Sequence, residues 1–145
     1  RVQLGDGSLY ALDTGIGGNT FDVYAMLYAA FGQAPSTGLL SDWVADADAL
    51  LQTPGRDLGD LGQALIDRYA PGVSNQAFVS YLFQALVGRA ATAPEVQSYT
   101  DMIGPGRQFE TAGDLYAYAA LLGLNTNKIA GIVGSIQPLE ASYFA

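Results

Sequence analysis

The chain has no cysteine and no histidine, and only one lysine and five arginines among its 145 residues. Without thiols or imidazoles it has no disulfide, no thiolate nucleophile and none of the usual transition-metal ligands. It also lacks the side chain best suited to proton transfer near neutral pH. The six basic residues (Arg1, Arg56, Arg68, Arg89, Arg107 and Lys128) are scattered among 14 acidic ones, for a formal net charge of −8. A nucleic-acid binder needs a basic stripe to neutralise phosphates, so no nucleic-acid partner is expected, and an anionic membrane repels the same surface. No apolar run approaches the roughly 18 residues of a membrane span, so no span is expected. Arg1 is followed by a polar, Gly-rich segment and not by an apolar one, so no signal peptide is expected here. With Arg1 in the place of Met, a fragment or processed form is expected.

What is present is hydrophobic and repetitive. Half of the residues are hydrophobic, which argues against disorder and suffices for one domain with a core. The segment Val23–Pro35, running on to Trp43, is echoed by Val79–Ala91, running on to Tyr99. Gly32 corresponds to Gly88 and Trp43 to Tyr99, both at a spacing of 56 (88 − 32 = 99 − 43 = 56). An internal repeat constrains the whole architecture. Each copy reads as an apolar helix, a Gly stop, a short polar turn and a second helix with an aromatic.

Residues 1–18 differ from the rest. Val2-Gln3-Leu4 and Leu9-Tyr10-Ala11-Leu12 flank Gly5-Asp6-Gly7-Ser8, a hairpin signal because both Asp and Gly tolerate positive φ. Gly15-Ile16-Gly17-Gly18 reads as a flexible linker. An isolated hairpin is marginal in water, so it must dock on something.

From residue 19 the period is helical. Helices are expected near 20–32 (N-cap Thr20, apolar face Val23, Tyr24, Leu27, Ala30, Phe31) and 37–52 (Leu40, Trp43, Ala47, Leu50). A third is expected near 58–69 (Leu58, Leu61, Leu65, Tyr69). The fourth carries Phe78, Val79, Leu82, Phe83, Leu86 and Val87, a stripe wide enough for the centre of the core, with Asn75 as N-cap and Gly88 as stop. Helix five opens on the capping box Thr92–Glu95, and helix six at Thr111 with Leu115, Tyr118, Ala119 and Leu122. Helix seven follows Asn125 with Ile129, Ile132, Val133 and Ile136 on one face and Gly131 and Gly134 permitting close approach; Pro138 ends it. The apolar tail 139–145 reads as extended. The fold class is therefore all-α: about seven short helices with a helix-turn-helix duplication (copies near 20–52 and 76–104), preceded by a β-hairpin.

Little chemistry stands out. Asp42 and Asp46 share a helix face; as a carboxylate pair they suit acid/base work or a weak Ca²⁺ site, but a solvated face explains them more simply. Asp57 and Asp60 suit the dipole at the start of helix three. No EF-hand loop and no Gly-Gly-x-Gly-x-Asp nonapeptide occurs; Gly5-Asp6-Gly7 with Asp13 is the nearest approach to a Ca²⁺ site. There is no Gly-x-Ser-x-Gly elbow, and the Gly15–Gly18 segment lacks the Lys-Ser/Thr of a phosphate loop. Tyr24, Tyr28, Tyr81, Tyr99, Tyr116 and Tyr118 sit at core or border spacing; a sugar-stacking platform is the functional alternative to packing. Arg89 is placed to cap carbonyls or pair with an acid.

The repeat resembles a helical module of unassigned function common in large bacterial surface proteins that also carry calcium-binding RTX repeats and leave the cell by type I secretion. The acidic composition, poor in Lys and Cys, is similar to theirs. The module's pattern is an aliphatic-aromatic helix ending in Phe-Gly-Arg or Leu-Gly-Arg, then a small residue, Pro, Asp, a Gly-Leu pair and an aromatic. Phe31-Gly32-Gln33-Ala34-Pro35-Ser36 with Gly38-Leu39 and Trp43 follows it, with Gln33 for Arg and Ser36 for Asp. The second copy keeps Val87-Gly88-Arg89-Ala90 and Tyr99 but lacks the Pro and the Gly-Leu pair. The Phe109–Ile136 region resembles the helical N-terminal part of some S-layer proteins.

The resemblance implies an extracellular or cell-surface, non-enzymatic module of an S-layer, filament or adhesin, and it transfers no catalytic residue. Self-association is the expected partner mode, through the hairpin and tail: Val2, Leu4, Leu9, Tyr10, Leu139, Tyr143 and Phe144. A surface glycan or lipopolysaccharide is the alternative partner. No cofactor is expected; Ca²⁺ is the sole ion the sequence leaves open.

Overall fold

A computed structural model of the chain describes residues 1–132 and 137–144. The polypeptide begins with a hairpin, β1 (Val2–Gln3) and β2 (Leu9–Ala11), then runs through α1 (Asn19–Phe31), α2 (Thr37–Leu51), α3 (Leu58–Tyr69), α4 (Asn75–Val87), α5 (Ala93–Thr100), α6 (Ala112–Ala120) and α7 (Gly123–Thr126). A 3₁₀ segment follows at Asn127–Ile132, then β3 (Gln137–Leu139) and a last 3₁₀ turn at Ala141–Phe144. The hairpin and the helical bundle expected from the sequence are both present. The tail adds a third strand: the sheet order is β1-β2-β3, antiparallel throughout.

The two copies of the repeat fold alike at their turns. α1 and α4 both end on a glycine in the left-handed region, Gly32 (φ 68°) and Gly88 (φ 82°), whose N–H groups donate to the carbonyls of Tyr28 and Gln84. Glycine alone takes that conformation at no steric cost. Four residues on (36 − 32 = 92 − 88 = 4), Ser36 and Thr92 N-cap α2 and α5 by accepting from the N–H of Leu39 and Glu95. Ser36 thus performs the capping an Asp would perform there. The aromatic sits seven residues past each cap (43 − 36 = 99 − 92 = 7). There the copies part. Trp43 is buried and its indole N–H donates to the Tyr69 hydroxyl at 3.0 Å, whereas Tyr99 lies outside against Phe83. α5 is half the length of α2 and buries no residue.

Burial corrects several details. α1, not α4, is the central helix: Phe21, Val23, Ala25, Met26, Leu27 and Ala29 are all buried, so it is covered around most of its circumference. Of its expected face, Tyr24 and Ala30 are half-buried and Phe31 is exposed. α4 buries Phe78, Val79, Leu82 and Leu86, but Phe83 is half-buried and Val87 exposed, because α4 covers one side of α1 and leaves its own outer flank to solvent. In α6, Tyr116 points inward and Tyr118 outward, the reverse of the expected face. α1 is capped by Gly18 and α4 by Ser74, in place of Thr20 and Asn75. Helix seven is a single α turn that begins before Asn125 and passes into the 3₁₀ segment; the expected face residues Val133 and Ile136, with Gly134, lie outside the described residues.

The closest helix pairing is α3 on α6, and its cause is glycine. A Cβ at Gly62 would stand 2.5 Å from the Gly113 carbonyl oxygen, and one at Gly113 would stand 2.3 Å from that of Gly59. Backbone therefore meets backbone without side chains between. Both helices carry a reciprocal capping box, Asp57–Asp60 and Thr111–Asp114, which fixes where each starts.

Candidate functional site

The sheet holds the hairpin and the tail together. The register pairs Val2 with Tyr10, Gln3 with Leu9, Leu9 with Leu139 and Tyr10 with Pro138. The Leu4 N–H donates to the Ser8 carbonyl at 2.8 Å and the Gly7 N–H to the Leu4 carbonyl at 2.9 Å, closing the hairpin. Asp6 accepts from the Ser8 N–H at 2.9 Å and stiffens the turn.

Alternation then assigns the edges. In an antiparallel strand, neighbouring residues turn their N–H and C=O groups to opposite sides. Leu4 faces β2, so Val2 does too, and Gln3 directs its backbone groups away from the sheet. On the far side, Leu9 and Ala11 face Leu139 and Gln137, which leaves Pro138 on the outer edge of β3. Proline has no N–H to offer there. Among the described residues β1 and β3 pair only with β2, so β1 carries an edge donor and β3 does not.

Beside the sheet lies a polar clasp. The Arg1 guanidinium pairs with Asp13 and, at 2.7 Å, with Asp48 on α2. Asp48 also accepts from Asn19 Nδ2 at 3.0 Å and from the Tyr143 hydroxyl at 2.6 Å. Asp13 accepts from the Thr20 hydroxyl at 2.7 Å and the Thr20 N–H at 3.3 Å. Thr20, expected to cap α1, instead sits inside it and anchors the loop from β2. Burial opposes ionisation of Asp13, but the hydrogen bonds from Thr20 and the charge of Arg1 outweigh it and hold its pKa below the usual value. Asp22, one turn into α1, has no such partners among the described residues; burial, helped by the Asp13 charge, pushes its pKa up to about 6. The Gly-rich segment before α1 forms a turn in which the Gly18 N–H donates to the Gly15 carbonyl at 2.9 Å.

The seven residues expected to mediate assembly divide by burial. Leu9 and Leu139 are buried and face each other across β2 and β3. Val2, Tyr10 and Tyr143 are half-buried, and Tyr143 stacks edge-on against Phe144 at 5.1 Å. Leu4 and Phe144 are exposed, at 48% and 66%. The hairpin and the tail were expected to contact neighbouring subunits; their pairing with each other through β2 and β3 was not expected from the sequence.

The acidic pair Asp42 and Asp46 is solvent-exposed on α2. It lines a cleft of about 380 Å³ between α2, α3 and the tail, together with Arg68, Trp43, Tyr69 and Tyr143. Arg68, Tyr69 and the tail were not connected to that pair by sequence spacing, because three separate elements meet there. Among the described residues no group of three His, Cys, Asp or Glu is placed to hold a metal ion; Asp6 and Asp13, the nearest approach in sequence, engage Ser8 and Arg1 with Thr20. Of the tyrosines, Tyr116 is buried with its hydroxyl on the Met26 carbonyl at 2.5 Å, Tyr24 and Tyr28 are half-buried, and Tyr81, Tyr99 and Tyr118 are exposed. Arg89 pairs with Glu95 through two contacts, at 2.7 and 3.0 Å, as its position suggested. Among the described residues no helix is long and apolar enough to cross a membrane.

Compared with protein-family models, curated proteins and solved structures, the chain matches none.

Proposed function

We propose that this domain is an assembly module of a secreted cell-surface protein, and that it joins a second copy of itself through the open edge of β1. The observation that carries the reading is the outward Gln3 backbone, a donor and acceptor unpaired among the described residues, at the rim of a sheet whose opposite rim is blunted by Pro138. An exposed strand edge is a template for pairing, and Leu4 beside it offers exposed apolar surface. The surface-module resemblance of the Gly32 and Gly88 turns points the same way. Strand pairing about a two-fold axis would bring the same edge of both copies together.

Truncating the hairpin or tail would remove buried Leu9, Ala11 or Leu139 and confound the test. Gln3→Pro is cleaner: it deletes the outward N–H and leaves the inward ladder of Val2 and Leu4 intact. The expected outcome is that the wild-type chain gives larger species by light scattering and electron microscopy while Gln3→Pro remains monomeric with an unchanged helical spectrum. A monomeric wild type under all ionic conditions, with or without Ca²⁺, rejects the reading.

A second reading is supported by the cleft at Asp42 and Asp46. Two carboxylates, one guanidinium and the exposed Tyr69 ring are the groups a surface oligosaccharide or lipopolysaccharide core would engage. Trp43 is not available as a platform, being 5% exposed with its N–H committed to Tyr69. Titration with lipopolysaccharide, followed by tyrosine and tryptophan fluorescence of wild type and Arg68→Ala, separates the two readings.

A further inference from the structure

Where α1, α3, α4 and α6 converge, the bundle leaves a half-open cavity of about 320 Å³. Its mouth is formed by Phe31, Tyr69 and Tyr81, all exposed; its depth reaches Phe78, Leu82 and Tyr116, all buried. The geometry points to a binding site for a small, neutral, planar ring compound, held by shape and ring contacts.

Size comes first. Ligand clefts run from roughly 300 to 1,000 Å³, and a dry apolar cavity of about 150 Å³ already accepts benzene. The space here is therefore suited to one or two fused rings. It is concave and drawn from four helices, so it is not a flat docking face.

Charge comes second. Among the described residues, no Asp, Glu, Lys or Arg lines the cavity. An ionised ligand would lose its hydration with no partner in return, so the occupant is neutral. Neutral tyrosine hydroxyls do not balance an ionic charge, and two of the three are already donating. Tyr81 donates to the Ala30 carbonyl, Tyr116 donates to that of Met26, and Tyr69 accepts the Trp43 indole N–H. What the lining offers is ring surface. Phe31 meets Tyr69 edge-on at 5.1 Å, and Phe78 meets Tyr116 edge-on at 5.9 Å. Each pair shows both a ring face and a ring edge, the arrangement to which a further aromatic ring adds favourably. A flexible aliphatic chain would lose more conformational freedom for the same contact.

The test uses indole as probe and indole-3-acetate as its charged counterpart, followed by methyl NMR of Leu65, Ile66 and Leu82. Saturable shifts at these methyls are expected with a dissociation constant of about 1 mM or tighter, as suits a ligand of so few atoms. Indole-3-acetate should bind at least ~10-fold more weakly. Ala70→Phe, at an exposed position on the rim, should fill the mouth and weaken indole by ~10-fold or more while the melting temperature holds; Val73→Trp serves the same purpose if Ala70→Phe does not fold. The inference is overturned if indole produces no saturable shift, if the charged probe binds equally well, or if binding survives in the filled variant.

Discussion

Asp22 is the residue whose chemistry most opposes its surroundings. It is 7% exposed, near a like charge at Asp13, and its pKa stands at about 6 against an ordinary 3.8. The folded state therefore holds a proton that the unfolded chain has already released between pH 4 and 6. Stability from this group falls as pH rises through that window and is flat above it. Asp22→Asn removes the effect: at pH 7 the variant should be more stable by about 3 kcal/mol, and the difference should vanish below pH 4. Urea denaturation at pH 4, 5, 6 and 7 measures it. The position in the first turn of α1 offers Asp22 a favourable helix dipole, worth up to about 2 kcal/mol at a partly buried site. That is smaller than the desolvation it faces.

Among the elements, the α3–α6 contact is the most exacting. Replacing Gly113 by Ala should gain up to about 1 kcal/mol of helix propensity, but its Cβ would meet the Gly59 carbonyl at 2.3 Å and the Gln63 nitrogen at 2.4 Å. Both are backbone atoms and neither can swing away, so the helices must separate; a net loss of about 2 kcal/mol is expected. Gly123→Ala is the control: its nearest neighbour is Asn127 Nδ2 at 3.6 Å, and thermal melts should show it neutral or slightly stabilising. The same contact explains what was legible in the sequence. Helix extents, Gly stops and capping boxes depend on neighbours a few residues apart, and α2, α3, α5 and α6 fall where Ser36, Asp57, Thr92 and Thr111 place them. Close approach is expected from the sequence at Gly131, where an added Cβ would meet nothing within 4 Å, and at Gly134, which lies outside the described residues; it occurs at Gly59, Gly62 and Gly113, since periodicity does not reveal which helix meets which. α1 misled for a related reason. A helix covered on nearly all sides has no single apolar face, so periodicity does not rank Phe21 and Met26, which are buried, above Tyr24 and Phe31, which are not. The edge at Gln3 depends on the Leu4–Ser8 bond and on the docking of β3, and neither is written in a run of five residues.

At the scale of the whole molecule, Asp48 joins the first residue, the start of α1 and the tail. Asp48→Ala would leave a largely buried Arg1 with Asp13 alone and free the Tyr143 hydroxyl; a loss of about 2–3 kcal/mol is expected. Hydrogen exchange should locate the loosening. Amides of β1, β2 and β3 should exchange faster, while those of α3 and α6, held by their own glycine contact, keep their protection relative to the global opening.

The order of the strands also decides how tension would travel through the domain. β1 and β3 both run antiparallel to β2, so they run parallel to one another. Drawing residue 1 and residue 144 apart along that axis slides both outer strands past the middle one, loading their hydrogen bonds side by side instead of peeling them open singly. The tail is also bonded to α2, through the Tyr143 hydroxyl to Asp48 and the Glu140 N–H to the Ser41 hydroxyl, so α2 shares this line of force. In a chain of such domains under strain, the first resistance would come from three short strands, one guanidinium and the bonds that hold the tail to α2.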